Sequence, residues 1–338
     1  LLGQGILEPL KYTRALLRLG SDADPYLASM RASLMAFHDA IRFGSSDGLA
    51  LSAPHGVAVL AACVRAAACV GASREKPAAP ELQPAGEPRA GEVVVTGGTG
   101  FVGRRVVRDL LAMGKPVTKK VRDPGRVPAA VRDSERIVVG DAGDPTALDA
   151  VCRGADAVIH LATCAGDDPT EAMPAAAVAL REACRTAGVR RLVFASSTAA
   201  INMGGGEVVR DPCAADPSLE LRPPYAQGKI LAERELLQDA GAKELVILRP
   251  GVVIGPDGNP QHTGVGLWPR DNHCLGWSRG KSPLPLILVE DCGKAFALAV
   301  DAKDAAGKSY NLAGDVQFTA REYVRELAQV TGRPLRFH

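Results

Sequence analysis

The chain has 338 residues, room for two domains of ordinary size, and its 46 % apolar but only 4 % aromatic composition suits helices packed on a sheet. The formal net charge is +2, with no basic stripe and no long run of like charge, which argues against nucleic acid as a partner. The first element predicted is a helix opened by Asp24-Pro25, an N-cap followed by proline at the first helical position. Leu27, Met30, Leu34, Phe37 and Ile41 line one face of it, and Gly44 stands where a C-cap belongs. A second helix runs from about Pro54 to Val70 with a stripe of Val57, Leu60, Ala61, Val64 and Ala68, so the two make a helical pair. The most apolar stretch, Leu49 to Val64, contains Pro54, His55 and Gly56 and is shorter than the roughly 20 residues of a membrane span. No membrane partner and no signal peptide are expected.

His38 and His55 read as surface or capping residues, and no catalytic constellation stands in this part. The segments FHDAIRFG and PHGVAVLAACVRAA resemble the last helices of the glucose-fructose oxidoreductase and inositol dehydrogenase family. The resemblance implies that residues 1–71 are the helical remnant of a truncated oxidoreductase module, whose absent N-terminal part belongs to the same polypeptide. The start at Leu1-Leu2 and the stop at Phe337-His338 fit a piece of a longer, fused protein. Residues 72–91, punctuated by Pro77, Pro80, Pro84 and Pro88, form an extended linker and the domain boundary.

Val93 to Gly103, VVVTGGTGFVG, organises the remainder. Its β-branched run makes a short buried strand, and Gly97, Gly100 and Gly103 then open a helix through Val106, Leu110 and Leu111. The three glycines serve the tight turn, the approach of backbone N–H groups to a pyrophosphate, and the packing of helix on strand. Phe101 and Val102 N–H, with the positive end of the helix dipole, face the anion. A second strand over about 116–121 ends at Arg122, where an acidic residue would bind a ribose 2′-hydroxyl. A guanidinium suits a 2′-phosphate, so NADP is favoured over NAD, although the neighbouring Asp123 could still serve a ribose. Lys119 and Lys120 are odd inside such a strand and are expected to snorkel.

Arg136 to Val139 is a third strand, followed by Gly140-Asp141 and a helix capped by Asp144-Pro145. Asp141 is either an acceptor for an adenine amino group or a turn aspartate. A fourth strand, 156–161, runs into Leu161, Ala162 and Thr163, small enough beyond the leucine to leave room for a cofactor backbone, with His160 as a packed strand residue. A helix through Leu180 to Ala187 leads to a fifth strand, Arg191 to Ala195, ending in Ser196-Ser197-Thr198. This alternation argues a Rossmann-type, doubly wound parallel α/β sheet with ligands at the strand C-terminal ends. Tyr225 and Lys229, four apart on a helical pattern, share one face. An adjacent ammonium and an oxidised nicotinamide would both favour the phenolate of Tyr225. The eight cysteines, at 63, 69, 152, 164, 184, 213, 274 and 292, include no C-x-x-C pair and read as buried apolar residues of a reducing compartment, the cytoplasm.

TGGTGFVG at 96–103, GD at 140–141, HLAT at 160–163, SST at 196–198, YAQGK at 225–229, RPGVVIGP at 249–256, VEDCGKAFALAVD at 289–301 and YNLAG at 310–314 together resemble the extended short-chain dehydrogenase/reductase family, the NAD-dependent epimerase/dehydratase group. The resemblance spans about residues 92–338. It implies that Tyr225 is the acid/base, that Lys229 orients the nicotinamide ribose, that Ser197 binds the substrate oxygen and that Pro250 lines the nicotinamide pocket. It also implies a small C-terminal substrate lobe from His262 to Pro285, where Arg270, His273 and Trp277 are candidates to meet a sugar diphosphate. Met173 falls where the family often has an asparagine, and Thr198-Ala199 replace the acid pair of its dehydratases, so dehydration is disfavoured. The expectation is an NADP- or NAD-dependent nucleotide-sugar epimerase of polysaccharide synthesis, a homodimer by analogy. A ketone or aldehyde reductase and a non-catalytic nucleotide-binding module are the rivals.

Overall fold

The computed structural model describes residues 88–122, 136–141, 143–163, 168–201, 211, 213–270, 272–276 and 278–338. The helical pair and most of the linker lie outside the described residues. The linker's last residues, 88–91, make a turn in which Glu92 N–H reaches back to the Arg89 carbonyl at 3.0 Å.

The valine run forms β1 (Val93–Thr96), and its side chains are wholly buried because covered parallel strands meet apolar layers on both faces. Around it lie β2 (Val117–Val121), β3 (Arg136–Val139), β4 (Ala157–His160), β5 (Arg191–Ala195), β6 (Glu244–Pro250) and β11 (Lys308–Leu312). The seven strands run in the order β3-β2-β1-β4-β5-β6-β11, every neighbouring pair parallel. The chain leaves β1 toward β2 and β3 and then crosses back to β4 on the other side. That reversal opens a crevice beyond the C-terminal ends of β1 and β4.

The helices between the strands are α1 (Gly103–Ala112), α2 (Pro145–Cys152), α3 (Pro169–Ala187), α4 (Pro224–Gln238) and α5 (Val289–Ala299). Period-two alternation divides β5 between the two layers. Val193 and Ala195 join Val106, Leu110 and Phe296 from α1 and α5. Leu192 and Phe194 join Leu148, Leu180 and Leu236 from α2, α3 and α4. Two Asp-Pro starts set helix entries: Asp144 accepts from Thr146 N–H at 3.0 Å and Asp168 from Thr170 N–H at 2.9 Å.

A smaller lobe follows β6. In it β7 (Val252–Ile254) pairs in parallel with β10 (Leu286–Leu288). The strands β8 (Leu267–Arg270) and β9 (His273–Leu275) form an antiparallel pair that the short β12 (Arg336–Phe337) extends. Its own core gathers Val252, Val265, Cys274, Leu284, Leu286, Tyr323 and Val324, with Trp268 and Phe337 packed at the margin. The Trp268 indole N–H donates to the His262 carbonyl at 3.3 Å. Helix α6 (Ala320–Thr331) closes the lobe, its start fixed by a capping box between Thr319 and Glu322.

Candidate active site

The glycine turn is built by contacts that leave no room for a Cβ. Gly97 has φ +73°, and a Cβ on it would stand 3.0 Å from the Ala162 backbone nitrogen. A Cβ on Gly103 would overlap the Gly97 carbonyl oxygen, so α1 can approach β1 only with glycine there. Gly100 N–H closes the turn onto the Gly97 carbonyl at 2.9 Å. The Phe101 and Val102 N–H groups have no acceptor among the described residues, and Val102 caps α1 without a side-chain bond. A cradle of orphaned donors at a helix N-terminus, kept open by absent side chains, fits the pyrophosphate of a dinucleotide. The Phe101 ring itself turns away and lies over Gly258, and the Arg105 guanidinium stands 5.8 Å from its centroid.

Beside the turn is a cleft of about 310 Å³ lined by Thr96, Gly97, Thr99, Gly100, Lys120, Val121, Arg122, Gly140, Asp141, Leu161, Ala162 and Thr163. Of the residues singled out for a cofactor, it brings together Gly97, Gly100, Arg122, Asp141 and the stretch 161–163. Phe101, Val102 and Gly103 continue from it into α1. Thr96, Thr99 and Gly140, which stand inside the TGGTGFVG and GD motifs without an assigned role, line the cleft too, as do Lys120 and Val121.

The two strand lysines correct one expectation. Rather than snorkelling, Lys119 and Lys120 are each 3 % exposed. The Lys120 ammonium donates to the Asp141 carbonyl inside the cleft, and burial lowers its pKa against the pull of Asp141 and Asp144. Lys120 lines the cleft together with Arg122.

Ser197, Tyr225, Lys229 and Pro250 lie farther along the same rim, where β5 and β6 end and α4 begins. Ser197, just past β5, lies near enough to the Tyr225 hydroxyl to pull its pKa down. Lys229, 4 % exposed, donates to the Ala195 carbonyl at 2.7 Å, and its ammonium stands 6.0 Å from the Tyr225 ring centroid. Tyr225 is 43 % exposed as a residue, yet burial of its hydroxyl end raises its pKa above the ordinary value, and the Ser197 contact only partly offsets this.

His160 is a packed residue as read. It stacks on Phe194 with centroids 5.8 Å apart and meets the Thr96 hydroxyl through Nδ1 at 3.0 Å. Burial, with Lys229 and Lys120 nearby, lowers its pKa to about 3, so it is neutral. Met173 is buried on α3, and a Cβ on Gly228 would stand 3.0 Å from its sulfur and overlap the Pro169 carbonyl. The small residue within YAQGK thus lets α4 lie close on α3. In the lobe, Trp277 lies outside the described residues, and His273 Nδ1 meets His338 Nε2 at 2.7 Å.

A doubly wound sheet, a glycine cradle at its switch point and a Tyr-Lys-Ser group on the same rim define an oxidoreductase built for a nicotinamide dinucleotide. The model of the NAD dependent epimerase/dehydratase family matches residues 93–313, and the chain belongs to that family as an NAD(P)-dependent enzyme. Among curated relatives, cinnamoyl-CoA reductase 1 of Petunia hybrida is 32 % identical over 186 residues, 49 % of this chain and 56 % of that protein. The chain thus spans little more than half the length of that relative. A (4-alkanoyl-5-oxo-2,5-dihydrofuran-3-yl)methyl phosphate reductase of Streptomyces griseus is 30 % identical over 245 residues, 72 % of this chain and 76 % of the relative. Among solved structures, MoeE5 in complex with UDP-glucose and NAD is 27 % identical with a TM-score of 0.59, covering 73 % of this chain and 85 % of that one. No helix among the described residues is long and apolar enough to cross a membrane.

Proposed function

We propose that this chain is an NADPH-dependent reductase of a ketone or aldehyde, working in the cytoplasm. The observation that carries the reading is Arg122 in the cleft wall with Lys120 beside it, which suits the 2′-phosphate of NADPH, while burial raises the pKa of the Tyr225 phenol. Such a phenol is protonated at neutral pH and suited to give a proton away, as carbonyl reduction requires. Alcohol oxidation, the first half of an epimerase cycle, needs the phenolate instead.

In this reading Gly97, Gly100 and Gly103 with the N–H groups of Phe101 and Val102 hold the pyrophosphate. Asp141, Leu161, Ala162 and Thr163 flank the adenosine and its linkage, and Lys229 and Pro250 serve the nicotinamide ribose and ring. Arg122, with Lys120 two residues earlier in the same cleft, favours a 2′-phosphate and hence NADPH. When bound, the reduced nicotinamide supplies a hydride equivalent for the carbonyl carbon. Ser197 and Tyr225 present two donors to one carbonyl oxygen, and Tyr225 releases its proton to that oxygen as it gains charge. The reductase names of the curated relatives support the same direction.

A second reading, a nucleotide-sugar epimerase of polysaccharide synthesis, is favoured by the likeness to a protein holding UDP-glucose and NAD. Incubating the full chain with NADPH and a 2-alkyl-3-oxoalkanoate, the ketone that a further curated relative is named for reducing, and separately with oxidised nicotinamide dinucleotide and UDP-glucose, separates the two. The reductase reading expects stoichiometric loss of reduced-nicotinamide absorbance with a carbonyl compound and no change in UDP-glucose. Interconversion of UDP-glucose and UDP-galactose on the oxidised coenzyme, without net formation of reduced nicotinamide, would establish the second reading. Tyr225→Phe is expected to lower kcat by about 10²- to 10⁴-fold and to leave the Kd for NADPH within about twofold. Unchanged turnover in that variant would remove Tyr225 from the reaction.

A further inference from the structure

The most completely buried ion pair near the site is one the chemistry above does not use. Arg249, 1 % exposed, directs Nε and Nη2 at the two carboxylate oxygens of Glu233, 0 % exposed, at 2.8 and 2.6 Å. Glu233 lies on α4 one turn beyond Lys229, and Arg249 is the residue before Pro250 on β6. The remaining guanidinium nitrogen, Nη1, donates to the Cys213 carbonyl at 2.8 Å. Asn311 on β11, the residue paired with Arg249 across the sheet, reaches the same stretch through Nδ2, at 2.6 Å from Asp211 and 3.1 Å from the Cys213 sulfur.

Cys213 begins the segment that leads into the helix of Tyr225, and that segment is tied at further points to both halves of the hydroxyl couple. Asp216 N–H donates to the Ala200 carbonyl at 2.8 Å, three residues after Ser197. Arg222 pairs with Asp216 at 3.1 Å and donates to the Ile201 carbonyl. Gln227, two residues after Tyr225, donates to the Arg222 carbonyl at 2.7 Å. Arg234 on α4 donates to the Pro217 carbonyl at 3.0 Å. The segment 213–223 is therefore a bridge between the Ser197 side and the Tyr225 side, and the guanidinium of Arg249 pins its beginning to the sheet and to α4 at once. A lone carboxylate or a lone guanidinium in that dry position would be strongly unfavourable, so each partner holds the other in place. The fork of an arginine can serve a carboxylate with two nitrogens and a carbonyl with the third, which a single ammonium cannot.

We infer that Arg249 and Glu233 are positioning residues for the Tyr225–Ser197 couple: the buried pair anchors segment 213–223 and so sets where the Tyr225 hydroxyl meets Ser197. The inference rests on the reading of Tyr225 as proton donor, and its test involves no turnover, so the two can fail separately.

The variants are Arg249→Met combined with Glu233→Leu, and Arg249→Lys alone, each in the full chain. Removing both charges leaves no unpaired buried charge and gives up only the bond to the Cys213 carbonyl, so the double variant is expected to unfold near the wild-type temperature. Amide hydrogen exchange across residues 213–226 is expected to rise about tenfold or more, with exchange in the glycine turn and α1 unchanged. The tyrosinate absorbance titration of Tyr225, isolated by subtracting the same protein carrying Tyr225→Phe, is expected to shift, because both the burial that raises its pKa and the Ser197 contact that lowers it depend on where the segment holds the hydroxyl. Arg249→Lys, which keeps the charge opposite Glu233 but gives up the fork, is expected to show the same two changes at smaller size. It carries the test should the double variant not fold. A folded variant with wild-type exchange in 213–226 and an unmoved Tyr225 titration would overturn the inference and reduce the pair to a structural contact.

Discussion

The sheet domain and the lobe after β6 are built on different principles. In the sheet domain the cradle is made of backbone: Gly97 and Gly103 are defined by what their missing side chains allow, and β1 leading into them is a run of buried valines. In the lobe short strand ladders from distant parts of the chain are joined by side-chain packing, with Phe337 lying against Gly276 and Gly280 and beneath the Arg321 guanidinium, which stands 5.0 Å from its centroid. A backbone site has few ways to give; a side-chain site can repack. The first region accordingly has the geometry to hold an invariant chemical group and the second the latitude to fit a variable one.

Acid should separate the two most sharply. The folded protein keeps His160 neutral down to about pH 3 whereas an unfolded chain binds the proton near the ordinary value of 6.5. As pH falls through this window the unfolded state takes up the proton first, so stability is full above about 6.5 and is lost toward 3, by about 1.4 kcal/mol per pH unit from this group. Urea unfolding midpoints measured across that range should fall steeply in the wild type and less steeply in His160→Phe; parallel curves would show that the sheet floor is not the acid-labile part.

Matched glycine changes come next in size. Gly103→Ala forces a methyl group against the Gly97 carbonyl, and is expected to cost about 1–3 kcal/mol of stability and to weaken NADPH binding more than about tenfold. Gly276→Ala meets the Phe337 ring, a side chain able to swing, so it should leave the NADPH Kd near the wild-type value. Equal losses of cofactor affinity, read by titration calorimetry, would erase the distinction drawn between the regions.

The smallest effect sharpens the cleft itself. Arg122→Ala is expected to raise the Kd for NADPH about tenfold, roughly 1.4 kcal/mol, and to leave NADH unchanged. An equal effect on both nucleotides would mean that Arg122 does not read the 2′ position.

What could be read in advance follows the same division. The strand of Val93–Val95, the glycine spacing, the Asp144-Pro145 helix start and the Tyr225/Lys229 spacing are each written within a few neighbouring residues, and each element lies where its local pattern puts it. Lys120 carried a usable signal, since it stands two residues before Arg122, but its charge suggested solvent. Nothing local announces that residues 252–254 pair with 286–288, or that two residues at 336–337 add a strand to β9. The Glu233–Arg249 pair is equally silent: one residue is on a helix, the other on a strand, and only the folded sheet brings them together. The raised pKa of Tyr225 was beyond reach for a related reason, since it depends on how deeply the hydroxyl end is enclosed.

The place of Trp268, with its indole bonded to His262 inside the lobe, has a practical meaning. Both tryptophans of the chain, Trp268 and Trp277, fall within that stretch, and the nucleotide cradle contains none. Intrinsic emission is therefore a private signal of the lobe. Because reduced nicotinamide absorbs where tryptophan emits, energy transfer from that stretch to the bound coenzyme gives an optical readout of the coenzyme taking its seat beside the lobe's own emission.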